Sequence, residues 1–141
     1  MAERTLDRYL REGMKSLWRG AVKHSDAFTG GIADVSAFLP GIGNVWVENK
    51  ELDDWPKRAK TKVALGLRDD QKLFLLERHG FLLLRVSREY LLFGWEDAYW
   101  LVEHSTQAEM RNFALATWKG KIEWEQFSRI LRHESLAKVD V

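Results

Sequence analysis

The turn-forming stretch at residues 40–44, Pro-Gly-Ile-Gly-Asn, constrains the fold more than any other feature of this chain. It separates two stretches with the composition of β-strands, residues 32–39 and 45–52. A proline and two glycines in so short a connection favour a tight reversal, so the two strands should pair antiparallel as a hairpin. This hairpin brings Asp34, on its first strand, towards Glu48 on its second.

The triplet Glu48-Asn49-Lys50 is the part of the sequence whose side chains are best suited to form a catalytic centre. Because side chains alternate faces along a strand, Glu48 and Lys50 project to one side while Asn49 points away. With Asp34 beside them, two carboxylates and an amine share a small volume. The carboxylates suit a hard divalent cation such as Mg²⁺, which prefers oxygen ligands.

Phosphodiester hydrolysis requires an ion of this kind, which polarises the phosphoryl group, activates water and offsets charge on the leaving oxygen. A neighbouring lysine can orient the water or stabilise the charge of the transition state. The ordinary alternative is that Asp34 is a strand-edge carboxylate and that Glu48 and Lys50 form a solvated ion pair.

The rest of the first two thirds of the chain predicts helices and strands in the order α-β-β-α-β-β. Apolar residues recur at helical spacing over residues 3–18, which indicates an amphipathic helix. Residues 53–66 are polar and predict a loop. A second helix, with Asp69 or Asp70 as its N-cap, should run to about residue 79.

Two apolar runs, residues 81–86 and 90–93, predict the last two strands of this core, and the pattern beyond Gly94 is helical. A capping box at Thr106 and Glu109 should open a helix that runs to Gly120, and residues 122–133 should form another. The sequence therefore predicts an α/β fold with a C-terminal helical extension.

Length and composition favour one compact unit, with residues 1–94 as its core and residues 95–141 as a helical extension packed on it. The absence of cysteine excludes thiolate zinc sites, thiol nucleophiles and disulfides. No apolar run approaches the length of a membrane span, and Met1-Ala2-Glu3-Arg4 lacks a signal core. We therefore expect a soluble, cytoplasmic protein with no membrane partner.

Residues 30–35, 46–50 and 67–75 together resemble the VRR-NUC branch of the PD-(D/E)xK nuclease superfamily. In that family a Gly-x-Pro-Asp turn precedes a strand with Glu-x-Lys, then a helix that opens with Gln, then two further strands. Ala33 stands where the family has its proline, a departure that removes no ligand. The resemblance spans residues 3–93 and implies a restriction-endonuclease-like core with a mixed central sheet.

The resemblance also implies a role for each matching side chain. Asp34 and Glu48 would be ligands of Mg²⁺ or Mn²⁺, and Lys50 would orient water or stabilise charge. Gln71, at the start of the second helix, would contact the water, the lysine or the DNA backbone.

Two further positions are candidates for the same site. The family carries a glutamate on its first helix, and Glu3 lies at the matching distance before Asp34, with Glu12 on the same helix as its competitor. His24 lies close enough to the hairpin to touch a phosphate or the scissile water, although a surface histidine is the ordinary alternative.

Net charge is only +1, so the overall charge does not indicate a nucleic-acid partner, but the distribution of cations does. Four cations occur within six residues just after the Glu-x-Lys strand, where a loop could contact DNA phosphates: Lys57, Arg58, Lys60 and Lys62. The alternative is a solvated charged loop.

The function implied by the resemblance is metal-dependent endonuclease activity on DNA. Compact stand-alone members of the family, found in phages and bacteria, look like Holliday-junction or flap nucleases, so branched DNA is the favoured substrate. A phage-encoded member would act in the host cytoplasm. A symmetric junction suits a homodimer with two active sites. The alternatives are restriction-like, repair or nicking specificity, and a catalytically silent DNA-binding or protein-interaction module of the same fold.

Overall fold

The computed structural model describes residues 3–24 and 33–139. Within these ranges one mixed sheet contains six strands in the order in which they occur along the chain. Neighbouring strands are antiparallel except for the third and fourth, which are parallel. This confirms the predicted mixed α/β fold. The strands are β1 (Arg19–Lys23), β2 (Val35–Leu39), β3 (Gly43–Leu52), β4 (Phe81–Val86), β5 (Glu89–Phe93) and β6 (Ala116–Lys119).

Helices cover both faces of the sheet. Tyr9 of the first helix packs against Trp124 of the last on the face that carries Asn49, whereas the second helix packs on the face that carries Trp46. Among the described residues, no helix combines the length and the apolar character needed to cross a membrane. The helices are α1 (Glu3–Gly13), α2 (Asp69–Arg78), α3 (Trp95–Trp100), α4 (Gln107–Phe113) and α5 (Trp124–Val139), with a 3₁₀ turn at Val102–His104.

The predicted hairpin is present. β2 and β3 pair from Val35 opposite Val47 to Leu39 opposite Gly43. The Ile42 N–H donates to the Leu39 carbonyl oxygen at 2.9 Å and closes the turn. Gly43 has a φ of 110°, which glycine adopts without the steric cost that a side chain would add. The turn residues therefore fix the register that positions the second strand.

The first helix is shorter than predicted, and a strand that was not predicted follows it. α1 ends at Gly13, where a Cβ would overlap the Trp124 ring and where glycine has low helix propensity. Residues 19–23 form β1 because they can pair with β2, with Lys23 opposite Val35. Helical periodicity does not report such a long-range pairing.

The predicted helix from residue 106 to Gly120 is also corrected. Its capping box is present, but α4 ends at Phe113, and residues 116–119 form β6. β6 pairs with β5, and the Leu115 N–H donates to the Leu92 carbonyl oxygen at 2.7 Å. Sheet pairing therefore overrides the local helical pattern. The helix predicted for residues 122–133 is α5, which begins two residues later and extends to Val139.

Candidate metal centre

Asp34 and Glu48 lie across from each other on neighbouring strands. Extending the β2–β3 register by one residue beyond Val35 and Val47 places Asp34 opposite Glu48. Directly opposed side chains of an antiparallel pair share a face, with Cβ atoms about 5 Å apart. Asp34 is half-buried and Glu48 is only 2% exposed. The two predicted ligands therefore share one side of the sheet.

The backbone holds Asp34 from both neighbouring strands. Its carboxylate Oδ2 accepts a hydrogen bond from the Asn49 backbone N–H at 2.9 Å, and its carbonyl oxygen accepts one from the His24 N–H at 2.7 Å. The first of these hydrogen bonds holds the Asp34 carboxylate beside Asn49, which lies between Glu48 and Lys50 in the sequence.

Gln71 is buried, and both ends of its amide are engaged. Its Oε1 accepts from the Arg68 N–H at 3.0 Å and closes the first turn of α2, while its Nε2 donates to Glu48 Oε2 at 3.1 Å. The N-cap of α2 is Arg68, and not Asp69 or Asp70 as predicted, because the backbone is still extended at Arg68 and becomes helical at Asp69. The Gln71 side chain thus contacts Glu48, and its expected contact with water, the lysine or the DNA backbone stays a prediction.

Lys50 follows Glu48 by two residues and is half-buried. Strand alternation therefore directs its side chain to the same face as Glu48. Its neighbour on β4 is Leu84, which is fully buried. The role of the Lys50 ammonium group stays a prediction.

His24 extends the row of polar side chains onto β1. Continuing the β1–β2 register from Lys23 and Val35 places His24 opposite Asp34. Its Nε2 lies 2.6 Å from Ser36 Oγ, and its ring centroid lies 5.1 Å from that of Trp46. The structure thus places His24 on the face that carries Glu48, half-buried and held by a neighbouring hydroxyl.

The acid of α1 that the structure places against β3 is Asp7. It is 2% exposed, and its Oδ1 accepts from Asn49 Nδ2 at 2.6 Å. Glu12 is exposed, and the side chain of Glu3 lies outside the described residues, so its role stays a prediction. Sequence reasoning missed Asp7. The available signal was its position three residues before Leu10, on the apolar stripe of the helix.

The basic loop lies to one side of this centre. Its four cations, Lys57, Arg58, Lys60 and Lys62, are all exposed. At its start, Trp55 Nε1 donates to Glu89 on β5 at 3.0 Å. β5 is two strands from β3, or about 10 Å at the usual strand spacing. Because Glu89 pairs with Val86 and Val86 pairs with Leu52, the start of the loop also lies four residues further along β3 than Glu48.

The anchor of the loop is an ionic cluster at Glu89. Arg111 of α4 donates to Glu89 at 2.8 Å and lies over the Trp55 ring at 4.7 Å. Burial by itself raises the pKa of Glu89, but the hydrogen bonds from Arg111 and Trp55 outweigh burial and hold this pKa below its usual value. The carboxylate is therefore ionised at neutral pH and fixes the start of the loop.

The donor set fits a magnesium or manganese ion. Within residues 3–24 and 33–139, no group of three acidic or histidine side chains is arranged to hold a metal, so the site offers two carboxylates, Asp34 and Glu48. Mg²⁺ typically binds one or two carboxylates and keeps several waters. The buried Glu48 carboxylate accepts a hydrogen bond from Gln71, and a bound cation would be a further favourable partner for it.

No protein-family model matches the chain, and no curated protein matches it in sequence. Among solved structures, the chain is similar to Hjc, a Holliday junction resolvase from the archaeal hyperthermophile Archaeoglobus fulgidus. The TM-score is 0.47 and the identity 16%, over 66% of this chain and 77% of that chain. The similarity concerns the overall fold.

Proposed function

We propose that this protein is a Mg²⁺- or Mn²⁺-dependent endodeoxyribonuclease that hydrolyses phosphodiester bonds in branched DNA, such as Holliday junctions or flaps. One observation carries the proposal: Asp34 and Glu48 are opposed on neighbouring strands, and each carboxylate is oriented by a separate hydrogen bond. The resemblance of the surrounding motifs to VRR-NUC nucleases supports the same activity.

Each side chain of the centre has a distinct task in this proposal. Asp34 and Glu48 would hold the ion, which would polarise the phosphoryl group, lower the pKa of the attacking water and offset charge on the leaving oxygen. Gln71 keeps the Glu48 carboxylate turned towards the ion. Lys50 places a positive charge where negative charge develops in the transition state.

A cleavage panel tests the proposal. Labelled four-way junction, flap, duplex and single-stranded DNA of matched sequence are incubated with the protein in Mg²⁺, Mn²⁺ or EDTA. We expect metal-dependent cuts close to the branch point of the junction or the flap. Equal cutting of plain duplex would favour the restriction-like or nicking alternative. Binding to DNA with no cleavage in either metal would identify the chain as a silent module.

We predict that the basic loop contributes affinity without contributing specificity. Replacing Lys57, Arg58, Lys60 and Lys62 with Ala should weaken DNA binding and reduce the slope of log K against log salt by about 0.9 for each phosphate that the loop no longer neutralises. The preferred DNA structure should stay the same, because phosphate contacts position a protein without reading its target.

Titrations at several salt concentrations measure this slope. The control replaces exposed cations on or beside α1 and α5, namely Arg8, Lys15 and Arg129, with Ala. This control should keep the wild-type slope. If the loop variant also keeps it, the segment is a solvated loop with no role in binding.

We also predict a homodimer, because one centre per compact chain cannot cut two opposed strands of a junction together. Light scattering at micromolar concentration, with and without a four-way junction, should give a protein mass of twice 16.5 kDa. A chain that stays monomeric in both conditions would favour flap cleavage or nicking, in which a single cut suffices.

A further inference from the structure

A carboxylate is buried between α1 and the sheet. Leu6 and Leu10 of α1, together with Met14 just beyond its end, form an apolar inner stripe and are fully buried. Asp7 lies on the same side, between them, and is 2% exposed. An acid in this position is costly unless it is hydrogen-bonded, and an apolar residue there would extend the stripe. The placement of Asp7 therefore calls for a reason other than packing.

Asn49 connects this acid to the candidate metal centre. The side chain of Asn49 is fully buried, and its Nδ2 donates to Asp7 Oδ1 at 2.6 Å. The backbone N–H of the same residue donates to Asp34 Oδ2 at 2.9 Å. Asn49 also separates Glu48 from Lys50, whose side chains lie on the opposite face of β3. One residue thus contacts α1 with its side chain and a proposed metal ligand with its backbone.

We propose that Asp7 is a positioning residue for the metal centre and acts through Asn49. The Asp7–Asn49 hydrogen bond fixes the rotation of β3 at residue 49. This rotation directs the backbone N–H of Asn49 at Asp34. It also keeps the Glu48 side chain on the face of β3 where the ion would bind. Asp7 itself is on the other face of the strand and does not bind the ion. The inference rests on the proposed function, since it concerns the geometry of that site.

Three variants separate positioning from packing. Asp7→Asn keeps the size of the side chain and an oxygen acceptor for Asn49. Asp7→Leu removes the acceptor and leaves a buried amide unpaired, which lowers stability. The double variant Asp7→Leu/Asn49→Val replaces both partners with apolar groups, a change that can be nearly neutral for folding. All three keep the backbone N–H that faces Asp34.

Three measurements are made on each variant: the thermal midpoint without metal, the affinity for Mn²⁺, and the single-turnover cleavage rate. We expect Asp7→Asn to stay close to wild type in all three. The double variant should unfold within a few degrees of wild type, yet bind Mn²⁺ and cleave at least about tenfold less well, as expected when a partner that orients a ligand is removed. Asp7→Leu alone should lose stability as well.

The possible outcomes are distinct. A stable double variant with wild-type Mn²⁺ affinity and rate would show that the Asp7–Asn49 pair only packs, and would overturn the proposal. Asp7→Asn behaving like the double variant would also overturn it, because the acceptor is retained there. If the wild type binds Mn²⁺ but cleaves no DNA, the nuclease function fails while the Mn²⁺ affinities still test positioning. If it does neither, both proposals fail.

Discussion

Asp34→Asn and Glu48→Gln should each reduce the cleavage rate at least about a thousandfold in Mg²⁺. Each change removes one charged oxygen ligand but almost no volume. The transition state loses about 4 kcal/mol of stabilisation or more, and each 1.4 kcal/mol corresponds to a factor of about ten in rate. Single-turnover assays at saturating protein measure this loss directly. DNA binding in EDTA should stay at the wild-type level.

A matched control lies on the same strand. Glu51 is three residues beyond Glu48 and projects to the opposite face of β3, so Glu51→Gln makes the same chemical change away from the centre. We expect this variant to cleave at nearly the wild-type rate. If either ligand variant also retained near wild-type turnover, the ion would have to bind elsewhere and the proposed centre would be wrong.

The hairpin could be predicted from sequence because its determinants are local. The turn residues at 40–44 force a reversal, and strand alternation then decides which side chains share a face. These two rules are sufficient to bring Asp34 to the same face as Glu48, and the pairing of Leu39 with Gly43 then sets the exact register. α2, β4 and β5 follow in the same way from periodicity and from the residues that bound them. The core order could therefore be predicted from these segments.

β1 and β6 could not be predicted because their conformation depends on a partner strand. Residues 19–23 form a strand against β2, and residues 116–119 form one against β5. Both segments lie at the edges of the sheet, where one neighbour supplies all of the pairing. Periodicity favoured helix over residues 116–119, and for residues 19–23 it gave no indication of a strand. Tertiary pairing overrides such weak local preferences.

The side-chain contacts of the candidate metal centre also depend on tertiary structure and could not be predicted from the sequence. Sequence indicated that Gln71 opens α2, but its contact depends on how that helix docks on β3. The contact with the Arg68 N–H is local to the helix, whereas only docking brings the Gln71 amide to Glu48, so one side chain closes the helix and orients a proposed metal ligand. Asp7 was missed for a related reason. An aspartate on an apolar helix stripe is unusual. Its hydrogen-bond partner Asn49 is 42 residues away in the sequence, so no local pattern indicates the contact.

Lys50→Met should lower the single-turnover rate roughly a hundredfold or more while leaving substrate affinity almost unchanged. Methionine keeps the unbranched stem beside Leu84 and removes only the charge. One positioned electrostatic group contributes about 10²–10³ in rate when it acts on charge that develops in the transition state. An interaction made only in the transition state raises the rate without tightening ground-state binding.

The comparison of rate with affinity decides what Lys50 does. A phosphate anchor would contribute equally to the ground state and the transition state, so its removal would weaken binding and spare the single-turnover rate. A lysine that acts on the reacting group gives the opposite pattern. Lys72→Met is a useful control, since Lys72 pairs with Asp69 on α2 at 3.4 Å, and it should change neither quantity greatly. If Lys50→Met and this control behave alike, the amine has no part in the chemistry, and the carboxylate pair with its ion would have to stabilise the transition state without it.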